Sequence, residues 1–168
     1  TMKNLSKVNG KPLIKYTLEI GKKIDKNLRL FISSDSKKIL QFCKMNGYHE
    51  AYMRPKKLST SKSNVIDAIL HGLDWLKKKY NYEPDAILLL EPTNPLRKLK
   101  EIKKAIIFFK RNKIESLASA CKLKFHPFQT LEIKGHKWKF LRKSNKNQYQ
   151  RQMYPKNYYY IDGNFYLF

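Results

Sequence analysis

Residues 91–97, EPTNPLR, place polar side chains between and beyond two prolines, directly after a run of aliphatic residues. Proline fixes φ near about −65° and restricts the residue before it, so Pro92 and Pro95 predict a rigid corner. Arg97 follows at the expected start of a helix, where its planar guanidinium could bind a carboxylate or a phosphate. The structural alternative is a stiff turn whose local carbonyls are capped by Arg97. Three further side chains of the corner could contact a substrate: Glu91, Thr93 and Asn94.

A second polar group lies in residues 54–67, RPKKLSTSKSNVID. Arg54 follows a short strand-like segment, and four hydroxyl residues precede a predicted helix: Ser59, Thr60, Ser61 and Ser63. The first N–H groups of a helix have no partner within it, so nearby hydroxyls can cap the helix or help those groups to bind an anionic or polar ligand. The alternative is an ordinary helix start that is satisfied by Asn64 and Asp67.

Two weaker groups complete the set of candidate side chains. Lys3 and Asn4 precede the turn sequence Asn9-Gly10-Lys11, and basic residues near such a loop suit phosphate, although NGK also forms ordinary turns. Near the other end, Gln150, Arg151 and Gln152 precede a run of three tyrosines and the sequence Asp162-Gly163-Asn164, in which Gly163 would permit a bulge. His126-Pro127 reads as structural, and no catalytic triad or metal-ligand cluster is readable.

The net charge of +23 does not by itself identify a partner for this chain. Lysine accounts for 30 of the 36 basic residues, and most are scattered over positions that would be solvated faces of helices. Attraction to an anion, either nucleic acid or a phosphorylated small molecule, is the functional alternative. No nucleic-acid-binding motif is present, so we expect nucleic acid not to be the partner.

Two further observations bear on the compartment. No apolar run approaches the roughly 20 residues that cross a bilayer, and the first residues show no signal-peptide pattern, so we expect a cytoplasmic protein without a membrane anchor. Cys43 and Cys121 lie far apart without metal-ligand spacing, and we expect reduced, partly buried thiols.

Hydrophobic periodicity supplies the elements that must position these groups. Helical spacing of apolar residues predicts four helices, and short apolar or alternating runs predict the strands, the last of them after a hairpin around Lys134-Gly135. Ser34 and Asp35 would cap the second helix. The predicted helices cover residues 11–25, 36–46, 62–79 and 99–111; the predicted strands cover 28–33, 49–53, 86–90, 115–121, 131–133, 138–140 and 158–168. Strand 86–90 is wholly apolar and is expected to be covered on both faces by helices, and strand 115–121 is also expected to be buried.

This alternation predicts an α/β fold of three layers, α/β/α, around a mostly parallel sheet. In such folds the ligand lies outside the carboxyl ends of the strands. The loops that directly follow strands are therefore expected to line one crevice: residues 33–36, 54–62, 91–97 and 122–128. We expect residues 1–168 to form a single domain.

Six blocks of the sequence, in order, resemble the CMP-sialic acid synthetase family, also called the acylneuraminate cytidylyltransferases. LLLEPTNPLR resembles the LLQPTSPLR segment of that family, and the tail resembles its RQ…P…Y…NGAIY segment. The resemblance covers nearly the whole chain. The remaining blocks are KNLSKVNGKPLIKYTLE, FISSDSKKI, RPKKLSTSKSNVIDAILHGL and ASACKLKFHPFQTLEI.

The resemblance implies a nucleotide-diphospho-sugar-transferase-like (Rossmann-like) fold, a homodimer, and attack of a sugar's anomeric hydroxyl on the α-phosphorus of CTP. It places Lys3, as the catalytic residue, by the phosphates and Asn4 by the ribose. It places three residues at the cytosine: Arg54, Ser61 and Ser63. Around an acidic nonulosonic sugar it places Glu91, Lys124, Arg151, Gln152 and Tyr160, beside which the corner residues Thr93, Asn94 and Arg97 are also expected to bind substrate.

The resemblance also implies Mg²⁺ bridging the phosphate oxygens. The family's first strand and phosphate loop would precede Lys3, and its Mg²⁺-binding aspartates would follow Phe168, so the domain is expected to be incomplete at both ends. Glu91 stands where the family usually has glutamine, and Tyr160 where some members have arginine, which leaves the sugar open among sialic, legionaminic, pseudaminic and other nonulosonic acids. Two alternatives stay open: a noncatalytic nucleotide- or RNA-binding module, and a nucleotidyltransferase acting on another sugar.

Overall fold

The computed structural model describes residues 2–142, 154 and 157–168, and these residues form an α/β structure. They make two compact units: unit 1 lies within Thr1–Leu117 and Phe165–Phe168, and unit 2 lies within Ala118–Asn164. The described α-helices all belong to unit 1, whereas unit 2 contains strands and one short 3-10 helix, Pro127–Gln129.

Helices and strands alternate along unit 1, which confirms the α/β prediction. The elements, in chain order, are β1 (Lys7–Val8), β2 (Lys11–Pro12), α1 (Leu13–Ile24), β3 (Ile32–Ser34), α2 (Lys37–Met45), β4 (Ala51–Met53), α3 (Val65–Tyr80), β5 (Leu88–Leu89) and α4 (Leu99–Asn112). They are followed by β6 (Leu117–Lys122), β7 (Leu131–Lys134), β8 (Lys137–Phe140) and β9 (Tyr159–Leu167). Two further 3-10 helices cover Met2–Leu5 and Lys56–Leu58.

The strands pair in small sheets. β3 and β4 are parallel, with Ile32 opposite Ala51 and Ser34 opposite Met53. β1 with β2, β5 with β9, and β7 with β8 are antiparallel, and the sheet order around β9 is β5-β9-β6. A mostly parallel sheet therefore stays a prediction for this chain.

Amphipathic helices pack against these strands because their apolar residues recur at helical spacing. In α1 the buried positions are Ile14, Thr17, Leu18, Gly21 and Ile24. Ile14 and Leu18 join one core cluster with Ile39, Cys43 and Tyr48, whereas Ile24 joins a second with Ile102 and Phe165. One face of α1 therefore contributes to both clusters of unit 1.

The start of α2 differs from the prediction. Ser36, not Ser34 or Asp35, is the N-cap, and its Oγ accepts from the backbone N–H of Ile39 at 3.5 Å. The Oγ of Ser34 instead accepts from the N–H of Ser36 at 3.2 Å. The predicted end is confirmed, since Asn46 is the C-cap and Gly47 follows with φ +80°, a conformation that glycine adopts without strain.

Three strands also differ from their predicted limits or burial. β3 begins at Ile32 because its partner β4 begins only at Ala51. β5 covers two half-buried residues, Leu88 and Leu89, rather than a five-residue strand buried on both faces. β6 was expected to be buried, yet four of its six residues are exposed. The hairpin is confirmed, with β7 and β8 joined through Gly135.

Two further expectations concern the burial of the cysteines and the presence of membrane-spanning helices. Cys43 is buried, and burial raises the pKa of its thiol to about 11, whereas Cys121 is exposed, contrary to the expectation of partial burial. Neither cysteine forms a disulfide. None of the helices in the described ranges combines the length and apolar character that crossing a bilayer requires.

Candidate functional site

The carboxyl ends of β3 and β4 bring Arg54 beside the serine-rich loop. The N–H of Arg54 donates to the carbonyl of Ser34 at 2.9 Å, which continues the parallel ladder beyond Met53. The Nε of Arg54 then donates to the Oγ of Ser59 at 2.9 Å, and that hydroxyl donates to the carbonyl of Pro55 at 3.2 Å. The guanidinium is therefore held at the loop and is only half-buried.

The loop after Ser59 is closed by its own hydroxyl groups. The Oγ of Ser63 accepts from the N–H of Thr60 at 2.9 Å, lies 2.9 Å from the Oγ1 of Thr60, and donates to the carbonyl of Lys57 at 3.1 Å. Ser61 is exposed on the same loop. The loop is therefore ordered by Ser63, and it leaves Ser61 facing solvent.

Asn64 is the N-cap of α3, and its Oδ1 accepts from the N–H of Ile66 at 2.9 Å. This confirms the alternative in which Asn64, rather than a serine, satisfies the helix start. Asp67 lies in the first turn, where a negative charge is favourable. Arg54 and Ser63 thus lie on the approach to a helix that is already capped.

Two buried oxygen atoms in unit 1 have no hydrogen-bond partner among the described residues: the Oδ1 of Asn4 and the Oγ of Ser33. An unsatisfied buried polar atom costs roughly 1–3 kcal/mol, so a ligand that donated to either atom would remove that cost. Asn4 is a predicted site residue, in the 3-10 helix that also carries the exposed Lys3. Ser33 was not selected from the sequence as a site residue, although it begins one of the predicted crevice loops.

Arg97 stabilises the proline corner, residues 91–97, through hydrogen bonds from its guanidinium. Its Nη2 donates to the carbonyl of Glu91 at 2.5 Å, and its Nη1 donates to the Oγ1 of Thr17 in α1 at 3.0 Å. The N–H of Asn94 donates to the same Glu91 carbonyl at 3.2 Å. The structure therefore brings Glu91, Asn94 and Arg97 together, and Thr93 is exposed beside them.

Burial affects the pKa of Arg97 in this corner. Burial lowers the pKa of the Arg97 guanidinium to about 10, while the charge of Glu91 acts in the opposite direction. The guanidinium thus stays protonated at neutral pH. Two of its nitrogens are engaged by protein acceptors, which favours the structural alternative for Arg97 and leaves its contact with substrate a prediction.

In unit 2, the two predicted site residues that the structure describes, Lys124 and Tyr160, are exposed. Lys124 follows β6, and its Nζ lies 5.6 Å from the ring centroid of Phe125. Tyr160 lies on β9 with half of its side-chain surface exposed. Arg151 and Gln152 lie outside the described residues.

A polar cluster on β6 and β9 of unit 2 was not selected as a site from the sequence. The carboxylate of Asp162 accepts hydrogen bonds from two β6 side chains, Ser119 at 2.5 Å and Cys121 at 2.9 Å. The donors lie 43 and 41 residues earlier in the chain. Asp162, Gly163 and Asn164 had been noted in the sequence, but only the pairing of the strands reveals the cluster.

Neither a metal site nor a cavity coincides with the predicted site residues that the structure describes. The described residues contain no group of three or more His, Cys, Asp or Glu side chains that could hold a metal ion. A cavity of about 250 Å³ lies between α2 and β4, and none of the predicted site residues lines it. Its lining residues are Lys37, Leu40, Gln41, Lys44, Ala51 and Met53.

Comparison with known proteins relates these groups to a family. A sequence model of the family described as "Cytidylyltransferase" matches residues 1–162. N-acylneuraminate cytidylyltransferase of Streptococcus agalactiae serotype III is 30% identical over 140 residues, which cover 80% of this chain and 32% of that protein. CMP-N,N'-diacetyllegionaminic acid synthase of Legionella pneumophila is 32% identical over 106 residues, which cover 62% of this chain and 44% of that protein.

A solved structure is also similar. The structure of CMP:2-keto-3-deoxy-manno-octonic acid synthetase complexed with CTP has a TM-score of 0.68 and 14% sequence identity, over 99% of this chain and 66% of that chain. At this identity the likeness shows the fold alone. The chain spans about a third of the length of the streptococcal relative and less than half of the Legionella relative.

Proposed function

Because the chain belongs to the cytidylyltransferase family, we propose that it takes part in activating an acidic nonulosonic sugar with CTP. The anomeric hydroxyl oxygen of the sugar attacks the α-phosphorus of CTP and forms a new P–O bond. The bond between the α-phosphorus and the α–β bridging oxygen breaks, the hydroxyl proton is released, and the products are a CMP-sugar and pyrophosphate.

The observation that carries this proposal is the polar edge at the carboxyl ends of β3 and β4. Ligands in open α/β folds bind outside the carboxyl ends of strands, and there Arg54 is held against a loop of hydroxyl groups before a helix N-terminus. We assign Arg54, Ser61 and Ser63 to the cytosine. Amide, hydroxyl and guanidinium groups can complement the carbonyl and ring nitrogen of a pyrimidine.

The remaining residues of the nucleotide half follow from the same family assignment. Asn4 is assigned to the ribose, and its unpartnered Oδ1 is an acceptor suited to a ribose hydroxyl. Lys3 is exposed and carries a mobile ammonium that can neutralise charge developing on the phosphates. Its assigned role is therefore electrostatic.

The sugar half is assigned to two sets of residues. In unit 1 the set is the proline corner: Glu91, Thr93, Asn94 and Arg97. In unit 2 it is Lys124 and Tyr160, and the ammonium of Lys124 suits the sugar carboxylate. Arg151 and Gln152, outside the described residues, are assigned the same role. The relatives named for N-acylneuraminate and N,N'-diacetyllegionaminic acid support an acidic sugar as the substrate.

Mg²⁺ and a homodimer complete the proposal. The described residues hold no metal-ligand cluster, so this part of the chain does not fit a protein cage for the ion and no step of the reaction is assigned to it. Mg²⁺ commonly binds through substrate phosphates with few protein ligands, which is how it would accompany CTP.

We further propose that residues 1–168 belong to a single cytidylyltransferase domain that acts as a homodimer. Light scattering after size-exclusion chromatography tests the oligomeric state.

Pyrophosphate release tests the function directly. The protein is incubated with CTP, UTP, GTP or ATP, each with N-acetylneuraminate, N,N'-diacetyllegionaminate or 2-keto-3-deoxy-manno-octonate, and the nucleotide-sugar is identified by mass spectrometry. Product with CTP and one of the acids supports the proposal. Product with another nucleotide but not with CTP, or no product with any pair, contradicts it.

A matched pair of variants tests the site. Arg54→Ala is expected to raise the KM for CTP by about tenfold or more, since hydrogen bonds from charged groups contribute roughly 1.5–3 kcal/mol. Arg111→Ala removes the same charge from an exposed position in the last turn of α4 and is expected to leave that KM unchanged. Equal effects would show that only net charge matters.

A further inference from the structure

Asp162 accepts four hydrogen bonds from Ser119, Cys121 and Asn164, which the structure describes in unit 2. Its Oδ1 accepts from the Oγ of Ser119 at 2.5 Å and from the N–H of Asn164 at 3.0 Å. Its Oδ2 accepts from the Sγ of Cys121 at 2.9 Å and from the Nδ2 of Asn164 at 2.8 Å. The donors come from both sides of the carboxylate, two on β6 and two on β9 itself.

These donors saturate the carboxylate. An ionised carboxylate offers about four lone-pair sites on its two oxygens, and here each oxygen already accepts two hydrogen bonds. A substrate hydroxyl could reach Asp162 only by displacing a protein donor. Asp162 is therefore poorly suited to bind a sugar and well suited to hold other residues in place.

The carboxylate is also ionised throughout the neutral range. Burial acts to raise the pKa of Asp162, but the hydrogen bonds from Cys121, Ser119 and Asn164 outweigh it and lower the pKa to about 2. The four hydrogen bonds are therefore charge-assisted, and such bonds are stronger than those between neutral groups.

Asp162 directly precedes Gly163 on β9. Gly163 has a backbone φ of +71°, a conformation that residues other than glycine rarely adopt. The backbone pairing on the other side is marked by the N–H of Leu123 donating to the carbonyl of Tyr158 at 2.8 Å. The hydrogen bonds of Asp162 thus join β9 to β6 between Gly163 and the backbone hydrogen bond of Leu123 to Tyr158.

The segments of β6 and β9 that Asp162 joins lie next to Tyr160 and Lys124, which are assigned to the acidic sugar. Tyr160 lies between Tyr158 and Asp162 on β9, and Lys124 directly follows Leu123. Slipping a strand by one residue moves each side chain to the opposite face. A change of register between β6 and β9 would therefore move Tyr160 away from its present face.

We propose that Asp162 is a positioning residue for recognition of the acidic sugar: its saturated carboxylate fixes the register of β9 against β6 and the amide of Asn164, and so sets the positions of Tyr160 and Lys124. The inference rests on the proposed function, because it assigns Tyr160 and Lys124 to the sugar. It adds a residue whose contribution is made through others rather than by contact with the substrate.

Two substitutions that exchange the carboxylate and the amide test this role. Asp162→Asn leaves one oxygen for Ser119 and the N–H of Asn164, but turns an NH₂ donor toward the Nδ2 donor of Asn164. Asn164→Asp places a second carboxylate beside Asp162. The double variant Asp162→Asn/Asn164→Asp again pairs an amide with a carboxylate, with donor and acceptor exchanged.

The measurement is the KM for the sugar and the KM for CTP, for each variant of the full protein. We expect Asp162→Asn and Asn164→Asp each to raise the sugar KM by about tenfold, with the KM for CTP within about twofold of its original value. We expect the double variant to recover much of the loss. Glu132→Gln, which removes a carboxylate paired with Lys139 on the exposed hairpin, should change neither KM.

The outcomes separate this inference from the proposed function. If the unsubstituted protein forms no CMP-sugar, the proposed function fails and the inference fails with it. If it is active and Asp162→Asn leaves the sugar KM unchanged, or raises both KM values equally without recovery in the double variant, only the inference fails. If Asp162→Asn does not fold, Ser119→Ala removes one donor and keeps the carboxylate: a selective rise in sugar KM then supports the inference, and no rise overturns it.

Discussion

Arg97 and Glu91 are joined across the proline corner by a hydrogen bond of 2.5 Å from the Nη2 of Arg97 to the carbonyl of Glu91. The same guanidinium reaches the Oγ1 of Thr17, which is 9% exposed on α1 and 80 residues away in the chain. The corner is therefore anchored to a buried position of α1 as well as stiffened by its prolines. An anchored corner holds Glu91 and Asn94 in fixed positions.

Removing this anchor is expected to destabilise the fold. Arg97→Met should lower the free energy of unfolding by about 2–3 kcal/mol, because two hydrogen bonds from a charged group are lost and the buried hydroxyl of Thr17 loses this donor. Arg97→Lys should lose about half as much, since an ammonium on a flexible stem cannot reproduce the planar fork. Urea unfolding measures both values. Stability equal to that of the unsubstituted protein in Arg97→Met would show that the anchor is not needed.

Ser59 is expected to matter for CTP although, of the four hydroxyl residues before α3, only Ser61 and Ser63 were assigned to the cytosine. Its Oγ accepts from the Nε of Arg54, so Ser59→Ala should free the guanidinium and raise the KM for CTP severalfold, corresponding to about 1 kcal/mol. The sugar KM should stay unchanged. Ser116→Ala, at an exposed position, is the matched control. A larger effect on the sugar than on CTP would contradict the assignment of Arg54 to the nucleotide.

Much of the fold could be predicted from the sequence because it depends on local pattern. The spacing of apolar residues predicted all four helices within a few residues, and alternation around Gly135 predicted the hairpin. The errors arose where a partner decides the outcome. The start of β3 depends on where β4 begins, and the cap of α2 depended on which of three neighbouring polar residues reached the helix.

The candidate site was less predictable because its key contacts are distant in the chain. Residue type and proline spacing indicated Arg97, but no local signal indicated Thr17. Ser119 and Cys121 lie in a segment that was expected to be simply buried, and their hydrogen bonds to Asp162 depend on strand pairing. Motif order indicated the family, whereas the contacts that hold its side chains required three-dimensional structure.

Gly72 tests the packing of α3 against the ring of Phe31. A Cβ at this position in α3 would lie 2.8 Å from Cε1 of Phe31, whose ring has neighbouring ring centroids at 5.7 Å for Tyr52 and 5.8 Å for Trp75. Gly72→Ala gains about 1 kcal/mol of helix propensity, whereas overpacking costs about 1–3 kcal/mol. Because those neighbours restrict the Phe31 ring, we expect a net loss of stability.

Urea unfolding followed by tryptophan fluorescence measures the loss in Gly72→Ala. Lys78→Ala on the exposed face of the same helix is the control for effects of alanine itself, since its exposed pair with Asp74 contributes little. A variant of Gly72 that is more stable than the original protein would show that the aromatic rings can move apart.

Asp162 makes stability depend on acid pH. Its pKa is about 2 in the folded protein against a usual value of 3.8, so the unfolded chain binds the proton more readily. The contribution is therefore fully present above about pH 4 and is lost as the pH falls from about 4 to about 2. Because Asp162 is partly exposed, solvent screening reduces the contribution to on the order of 1 kcal/mol. The free energy of unfolding in urea is measured for the original protein and for Asp162→Asn at pH 6 and at pH 3. The difference between the two proteins should be smaller at pH 3. A difference that does not depend on pH would show that the four hydrogen bonds do not stabilise the ionised carboxylate.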